Sequence, residues 1–324
     1  MQRRSLLLAT ASLAATAPRA RAQTAEWPNR PVRLIVPFPP GGPSDIFARL
    51  LAPLYSAALH QPVVVENRAG GGGVTGTDAA AKATPDGYVL AITNGGSLVI
   101  SPHVSGNVPY RVPEDFTLLS VVSRVPEALV AHPRLGLRTL PELVARAKRE
   151  PGKLNIGTAG AAGISHLAAE LLRVQAGVEI VVVPYRGAAP AVTDLVAGNI
   201  DLLFADLPVL LPQLRGGAMV ALAMASGQRS PSLPEVSTTG EAGYPDLLAD
   251  NWYAVVGPAR LPEPVVARLS AVLRQASQDP ALRAAFQAQG AEAVFTTPAE
   301  FTALVARESE KWRRIAESAG IRTD

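Results

Sequence analysis

The sequence predicts an α/β protein of two lobes, each built on a mostly parallel sheet flanked by helices. Extended apolar segments alternate with segments of helical spacing, the pattern of parallel sheets covered on both faces. The 324 residues exceed what one hydrophobic core usually serves. Two extended apolar stretches, 118–131 and 252–257, flank the second series of elements. Such paired crossings suit a hinge between lobes, and we expect it near 122–127 and 250–255.

The first 22 residues have the composition of an export signal. Arg3 and Arg4 precede the apolar stretch 5–17, and an A-x-A cleavage pattern ends at Ala22. The arginine pair is compatible with the twin-arginine route as well as the general one. We expect cleavage near Ala22. The predicted divisions are a signal peptide at 1–22, the first part of lobe 1 at 23–124, lobe 2 at 125–252, and the return to lobe 1 with C-terminal helices at 253–324.

Charge and cysteine content exclude several classes of protein. Four of the 30 basic residues leave with the signal, so 26 basic and 27 acidic residues remain and the net charge falls from +3 to −1. No basic field is left to attract nucleic acid. The chain has no cysteine, which excludes disulfides, thiolate metal ligands and a lipidated anchor. No later apolar run approaches the roughly 18 residues of a membrane span. We therefore expect a periplasmic, unanchored monomer without cofactor or metal.

The first lobe is predicted to contain strands at 32–38, 62–66 and 88–93, with helices at 44–58 and 74–83 between them. The loop FPPGGPSD joins the first strand to the first helix. Gly42 suits the N-cap, Pro43 the first helical position, and Asp45 the acidic position of a capping box. The free amides of such a helix end attract anions. An ordinary tight connection between strand and helix would explain the same residues.

The second lobe is predicted to repeat this alternation. Strands are expected at 154–157, 179–184, 201–204 and 220–225, and helices at 164–175, at 188–197 and after Pro208. The tail 262–320 is expected to be mainly helical, with new segments starting at Asp279-Pro280 and Thr297-Pro298. Each lobe thus has one strand followed by a glycine-rich loop and a helix.

Most chemical motifs in the sequence are incomplete. The G-x-G-x-x-G match at 71–76 has no acidic residue at the end of the next strand, where a ribose-binding acid would stand. The glycine-rich segment 157–163 lacks the lysine of a phosphate-binding loop. The four histidines, at positions 60, 103, 132 and 166, are scattered, so no helical metal pair forms. A hydrolase using Ser165 and His166 is the alternative function, although adjacent helical residues point about 100° apart.

Five segments carry a close resemblance to a known family. They are WPNRPVRLIVPFPPGGPSDIFARLL, QPVVVENRAGGGGVTGTDAAAKATPDGY, PGKLNIGTAG, VPYRGAAPAVTDLVAGNIDLLFADLP and KWRRIAESAGI. In this order the chain resembles the Bug-type solute-binding receptors of tripartite tricarboxylate transporters. The resemblance implies the two-lobed periplasmic-binding-protein (Venus flytrap) fold. It also implies capture of a small organic acid for a membrane permease, without catalysis, with the ligand carboxylate held by backbone groups and ordered waters.

The resemblance also implies which residues bind the ligand. On lobe 1 they are Phe38, Pro40, Gly41, Gly42, Ser44 and Asp45, with Ala69, Gly70, Gly71, Gly72 and Asn94 nearby. On lobe 2 they are Thr158, Ala159, Gly160, Ser165 and His166, with Arg186, Gly187 and Asp206 as neighbours. The sequence has FADLP where the family commonly has FDNLP, and a smaller GAAGIS loop, so the acid itself stays open.

Asp206 follows a predicted strand at its C-terminal end, where open α/β sheets place ligands. A carboxylate there would repel a second ligand carboxylate unless a proton or cation intervened. We therefore expect preference for a monocarboxylate, or an amino or hydroxy acid, over citrate. The alternative is that Asp206 caps the following helix and never meets ligand.

Overall fold

The computed structural model describes residues 27–319 and has the α/β class that the sequence predicts. The predicted signal peptide lies outside the described residues. The strands are β1 Val32–Val36, β2 Val63–Asn67, β3 Val89–Asn94, β4 Phe116–Ala131, β5 Asn155–Thr158, β6 Val181–Pro184, β7 Leu202–Asp206, β8 Val220–Met224, β9 Asp250–Pro258 and β10 Glu292–Ala293. The α-helices are α1 Pro43–Leu59, α2 Val74–Ala81, α3 Ser101–Val104, α4 Leu140–Arg149, α5 Ile164–Ala176, α6 Ala188–Val196, α7 Leu207–Arg215, α8 Glu263–Ser277, α9 Pro280–Ala288 and α10 Pro298–Ala319.

The strands form two groups that share β4. One group has the order β2-β1-β3-β9-β4, with β10 also on β4; the other has the order β6-β5-β7-β4, with β8 on β4. Within each group three strands are parallel, as predicted, because helices connect them on the faces of the sheet. The pairs that involve β4 and β9 are antiparallel, so each sheet is mixed.

Strand β4 carries the chain from one group to the other. Up to Pro126 it pairs with β9, where Pro126 lies opposite Asp250. From Glu127 onward it pairs with β7, where Glu127 lies opposite Asp206. The change of partner lies inside the predicted hinge at 122–127. The lobe limits at 124/125 and 252/253 remain a prediction.

The apolar face of α1 fixes the orientation of the loop that precedes it. Phe47 and Tyr55 are buried against the first sheet. Phe47 stacks on Phe286 of α9 with ring centroids 4.9 Å apart, and it meets Tyr253 of β9 at 5.1 Å. Aromatic pairs in this geometry stabilise the fold beyond what the burial of their apolar surface contributes. The helix therefore presents its N-terminus at a fixed place beside β9.

Some elements escaped the sequence patterns. Helix α4, the helical residues 96–104 and the two-residue strand β10 were not predicted. Strand β7 extends to Asp206, and α7 starts at Leu207, one residue before Pro208. None of the helices found among residues 27–319 is long and apolar enough to cross a membrane.

Candidate functional site

A narrow cavity lies where the two groups of strands meet, with about 40 Å³ available to the centres of water molecules. Its walls come from loops on both sides, and its inner end comes from β4, β7 and β9. The lining residues are Phe38, Pro39, Gly42, Pro43, Ser44, Gly72, Asn94, Gly96, Glu127, Ala159, Gly160, Gly163, Ile164, Ser165, Ala188, Ala189, Asp206, Asn251 and Tyr253.

Three helix N-termini converge on this cavity. Helices α1, α5 and α6 begin after Gly42, Gly163 and Gly187, and none of these caps has a side-chain hydrogen bond. The first-turn amides of a helix have no partner within the helix. Together with the positive end of the helix dipole, they favour an anion. Ser44, on the first turn of α1, adds a buried hydroxyl without a hydrogen-bond partner.

Asp45 fixes the conformation of the loop 38–42, which forms one wall of the cavity. Its carboxylate accepts hydrogen bonds from the Gly41 amide at 3.0 Å, from Arg49 Nε at 2.9 Å and from Asn67 Nδ2 at 3.0 Å. Asn67 Nδ2 also donates to the carbonyl of Phe38 at 3.1 Å. Burial opposes ionisation, but the bonds from Arg49, Gly41 and Asn67 outweigh it and lower the pKa of Asp45. Asp45 is therefore an ionised anchor for the loop.

Glycines let the two walls approach closely. A Cβ atom at Gly72 would lie 2.7 Å from the carbonyl oxygen of Ala161, and one at Gly187 would lie 2.8 Å from Cδ of Pro39. A Cβ atom at Gly160 would lie 3.3 Å from Cα of Gly72. Contacts below 3.0 Å are closer than a real side chain tolerates. Glycine at these positions thus permits the narrow cavity.

The inner end of the cavity is polar and acidic. Asn251 Nδ2 donates to both carboxylate oxygens of Asp206, at 3.2 and 3.1 Å, and the hydroxyl of Tyr253 donates to Oδ2. Glu127 lies beside Asp206 on the neighbouring strand. Its side chain is buried, and its Oε2 has no hydrogen-bond partner.

Both carboxyl groups resist ionisation. Burial raises the pKa of Asp206 to about 7, although the bonds from Tyr253 and Asn251 act in the opposite direction. Burial and the adjacent Asp206 raise the pKa of Glu127 well above its usual range. Burial and the charge of Asp206 also raise the pKa of Tyr253, so its hydroxyl stays protonated. Two carboxylates this close and this buried do not both ionise readily.

About half of the predicted ligand residues line the cavity. Those that do are Phe38, Gly42, Ser44, Gly72, Asn94, Ala159, Gly160, Ser165 and Asp206. Those that do not are Pro40, Gly41, Asp45, Ala69, Gly70, Gly71, Thr158, His166, Arg186 and Gly187. Arg186 is exposed. Asp45 does not line the cavity, but it accepts a hydrogen bond from Gly41 and so affects the cavity through the loop 38–42. Whether each lining residue binds a ligand remains a prediction.

Two alternatives from the sequence can be compared with the geometry. Asp206 occupies the N-cap position of α7, but its side chain makes no capping bond there and instead faces Asn251 and Tyr253. The Ser165 hydroxyl accepts the Ala159 amide at 2.9 Å, and the buried Nδ1 of His166 has no hydrogen-bond partner. Ser165 and His166 therefore do not form the hydrogen-bonded pair that the hydrolase alternative requires.

At the inner end of the cavity, the sequence patterns predicted Asp206 but missed the residues around it. Glu127, Asn251 and Tyr253 stand in β4 and β9, within the segments 122–127 and 250–255 that were predicted as hinges and not as ligand contacts. The signal that could have found them is a polar residue within an otherwise apolar strand. The segments EALVA and DNWYAVV both contain such residues. The sequence does not show which face of the strand each side chain takes, so the signal could not place them.

Comparison with known proteins adds independent findings. The model of the tripartite tricarboxylate transporter family receptor matches residues 47–321. Protein BugT of Bordetella pertussis is 38% identical over 318 residues, covering 98% of this chain and 96% of BugT. The structure of R. palustris Rpa4515 with adipate has a TM-score of 0.89 and 32% identity, covering 91% of this chain and 99% of that one. The periplasmic binding protein BugD has a TM-score of 0.88 and 32% identity, covering 92% of this chain and all of that one.

Proposed function

This chain belongs to the tripartite tricarboxylate transporter receptor family, and on that premise we propose that it binds a small carboxylate between its two lobes in the periplasm and delivers it to the permease of such a transporter. It acts as a receptor without catalysing a reaction. The observation that carries the proposal is the convergence of three uncapped helix N-termini, from both sides, on one cavity. Their amides hold a carboxylate without a cationic side chain.

The structure of Rpa4515 contains adipate, which makes a linear dicarboxylate the first acid to test. The hypothesis drawn from Asp206 favours acids with fewer charges, or with an amino or hydroxyl group, over citrate. A panel of adipate, malate, lactate and citrate separates these possibilities by charge and by donor groups.

The experiment is calorimetric titration of the mature protein with this panel, supported by thermal shift. A ligand at 100 times its Kd adds about 2.7 kcal/mol of apparent stability. We expect at least one acid to bind. The neutral compound in which each carboxylate of that acid is replaced by a primary amide should not bind. Gly160→Val should abolish binding by filling the space against Gly72, whereas Arg186→Ala should leave it nearly unchanged. The proposal fails if no acid on the panel binds, or if only the Arg186 variant loses binding.

A further inference from the structure

Among the described residues that line the cavity, two have carboxyl groups, Glu127 and Asp206, and none has a cationic side chain. Glu127 and Asp206 lie directly opposite each other on the antiparallel strands β4 and β7. Side chains at such positions share one face of the sheet, with Cβ atoms about 5 Å apart. Their exposed fractions are only 1% and 5%.

The groups around this pair are neutral donors. Tyr253 and Asn251, both on β9, bond to Asp206, and Asn94 on β3 lies opposite Tyr253. Among residues 27–317, neither Arg nor Lys contributes to the pKa of either carboxyl group. The nearest charged residues along β4 and β9, Arg124 and Asp250, line a neighbouring groove together with Lys311, and they do not line the cavity itself.

The two carboxyl groups differ in how many donors reach them. Asp206 accepts from Asn251 and Tyr253, which stabilises its ionised form. Glu127 lines the cavity, and its Oε2 has no partner. A buried polar atom without a partner costs free energy, which a bound group could recover. Glu127 is therefore expected to keep its proton to a higher pH than Asp206.

We propose that Glu127 and Asp206 share a single proton at the inner end of the cavity, and that the Glu127 carboxyl donates it in a hydrogen bond to an oxygen of the bound carboxylate. This inference rests on the proposed function. The raised pKa values of both groups agree with it. The shared proton makes binding of the acid depend on pH, because a pair with both carboxyl groups ionised would repel the ligand carboxylate.

The first part of the test needs no ligand. Carbon-13 NMR of protein labelled in its Asp and Glu carboxyl groups follows each titration, with Glu127→Gln and Asp206→Asn used for assignment. We expect the Glu127 carboxyl to titrate more than two pH units above an ordinary glutamate. Ordinary titration of both groups near pH 4 would overturn the proposal, and wild-type spectra alone can show it.

The second part is calorimetry with adipate between pH 5.5 and 8.5. Above the pKa of the pair, we expect the Kd of the wild type to rise by up to about tenfold per pH unit. Glu127→Gln carries a permanent amide donor of similar shape, so its Kd should stay nearly constant and fall below that of the wild type at pH 8.5. Adipate binding that is independent of pH in the wild type overturns this proposal alone. If the proton is present but adipate, malate, lactate and citrate all fail to bind at any pH, the proposed function fails and the donor role fails with it.

Discussion

At the scale of single residues, the site depends on which acidic groups are ionised. Asp45 and Asp206 are both buried aspartates beside the cavity, yet their pKa values shift in opposite directions. Asp45 faces Arg49 and two further donors, so its charge is stabilised. Asp206 faces only neutral donors and a second acid, so burial dominates. The charge state therefore follows from the neighbours and not from the residue type.

The raised pKa of Asp206 predicts an unusual dependence of stability on pH. The pKa of this carboxyl rises from 3.8 to about 7 on folding, so the folded protein holds the proton more tightly than the unfolded chain does. While the carboxyl is protonated, the folded state is therefore more stable than it is at higher pH. That contribution is complete below pH 4 and is lost as the pH rises through 7. In Asp206→Asn, the fall in unfolding free energy between pH 5 and pH 8 should be smaller by on the order of 1–4 kcal/mol. Urea unfolding at several pH values measures this, with the exposed Asp246→Asn as control. An unchanged slope would argue that Asp206 is ionised throughout.

The Asp45 anchor predicts a loss of affinity without a comparable loss of stability. Asp45→Asn removes the charge that accepts from Arg49 and Gly41, so the loop 38–42 loses its fixed position. Because Arg49 is 56% exposed, we expect only about 1 kcal/mol of lost stability, but at least a tenfold weaker binding of the acid identified by the panel. Asp78→Asn breaks a similar pair with Lys82 on α2 and should leave binding unchanged. Equal affinities for the two variants would show that the anchor has no effect on the cavity.

At the scale of elements, the cavity is made by where helices begin. Helices α1, α5 and α6 start at glycines whose missing side chains leave the amides accessible. The loop 70–73, which precedes α2, brings Gly72 against the opposite wall. The φ of +63° at Gly72 and the short distance from a Cβ atom there to Ala161 both restrict position 72 to glycine.

A matched pair of glycine variants separates these two restrictions. Gly136 has φ +66° and ψ +16°, close to +63° and +24° at Gly72, but a Cβ atom there would meet nothing within 4 Å. Backbone strain should destabilise the fold by about 1 kcal/mol in both Gly→Ala variants. Only Gly72→Ala should also weaken carboxylate binding, by tenfold or more, because it pushes the walls apart. Thermal unfolding and calorimetry on both variants test this. Equal binding by both would mean that closure does not require this contact.

At the scale of the whole molecule, the strand pairing suits a hinge. Strand β4 is shared by the two groups of strands, and it changes partner from β9 to β7 between Pro126 and Glu127. The acid pair of Glu127 and Asp206 lies directly beside this change of partner. A motion about the hinge would therefore alter the surroundings of the pair.

A disulfide across the cleft should report closure. A Cβ atom at Gly41 would lie 3.9 Å from Cβ of Ala189, which matches disulfide geometry, and the chain has no other cysteine. In the double variant Gly41→Cys with Ala189→Cys, we expect the bound acid to accelerate oxidation. Once oxidised, the protein should release the acid at least tenfold more slowly and keep a small radius of gyration in scattering. The single variant Gly41→Cys controls for strain at φ +81°. Failure to form the disulfide with acid present would contradict the close approach of Gly41 to Ala189 in solution.

The sequence by itself determined the alternating elements and the loops that open α1 and α5. Those features depend on local periodicity and on glycine and proline, which act over a few residues. It also carried the family resemblance, which the comparisons confirm.

Only the tertiary structure decided the inner end of the cavity and its charge. Asn251 meets Asp206 across 45 residues of sequence, and Glu127 meets it through the register of β4 against β7. A one-residue change of register would turn these side chains to the other face. Tertiary structure likewise decided that Arg186 is exposed and that Asp206 leaves α7 without a side-chain cap. Burial and the groups nearby set the charge of a carboxyl, and neither is a local property of the chain.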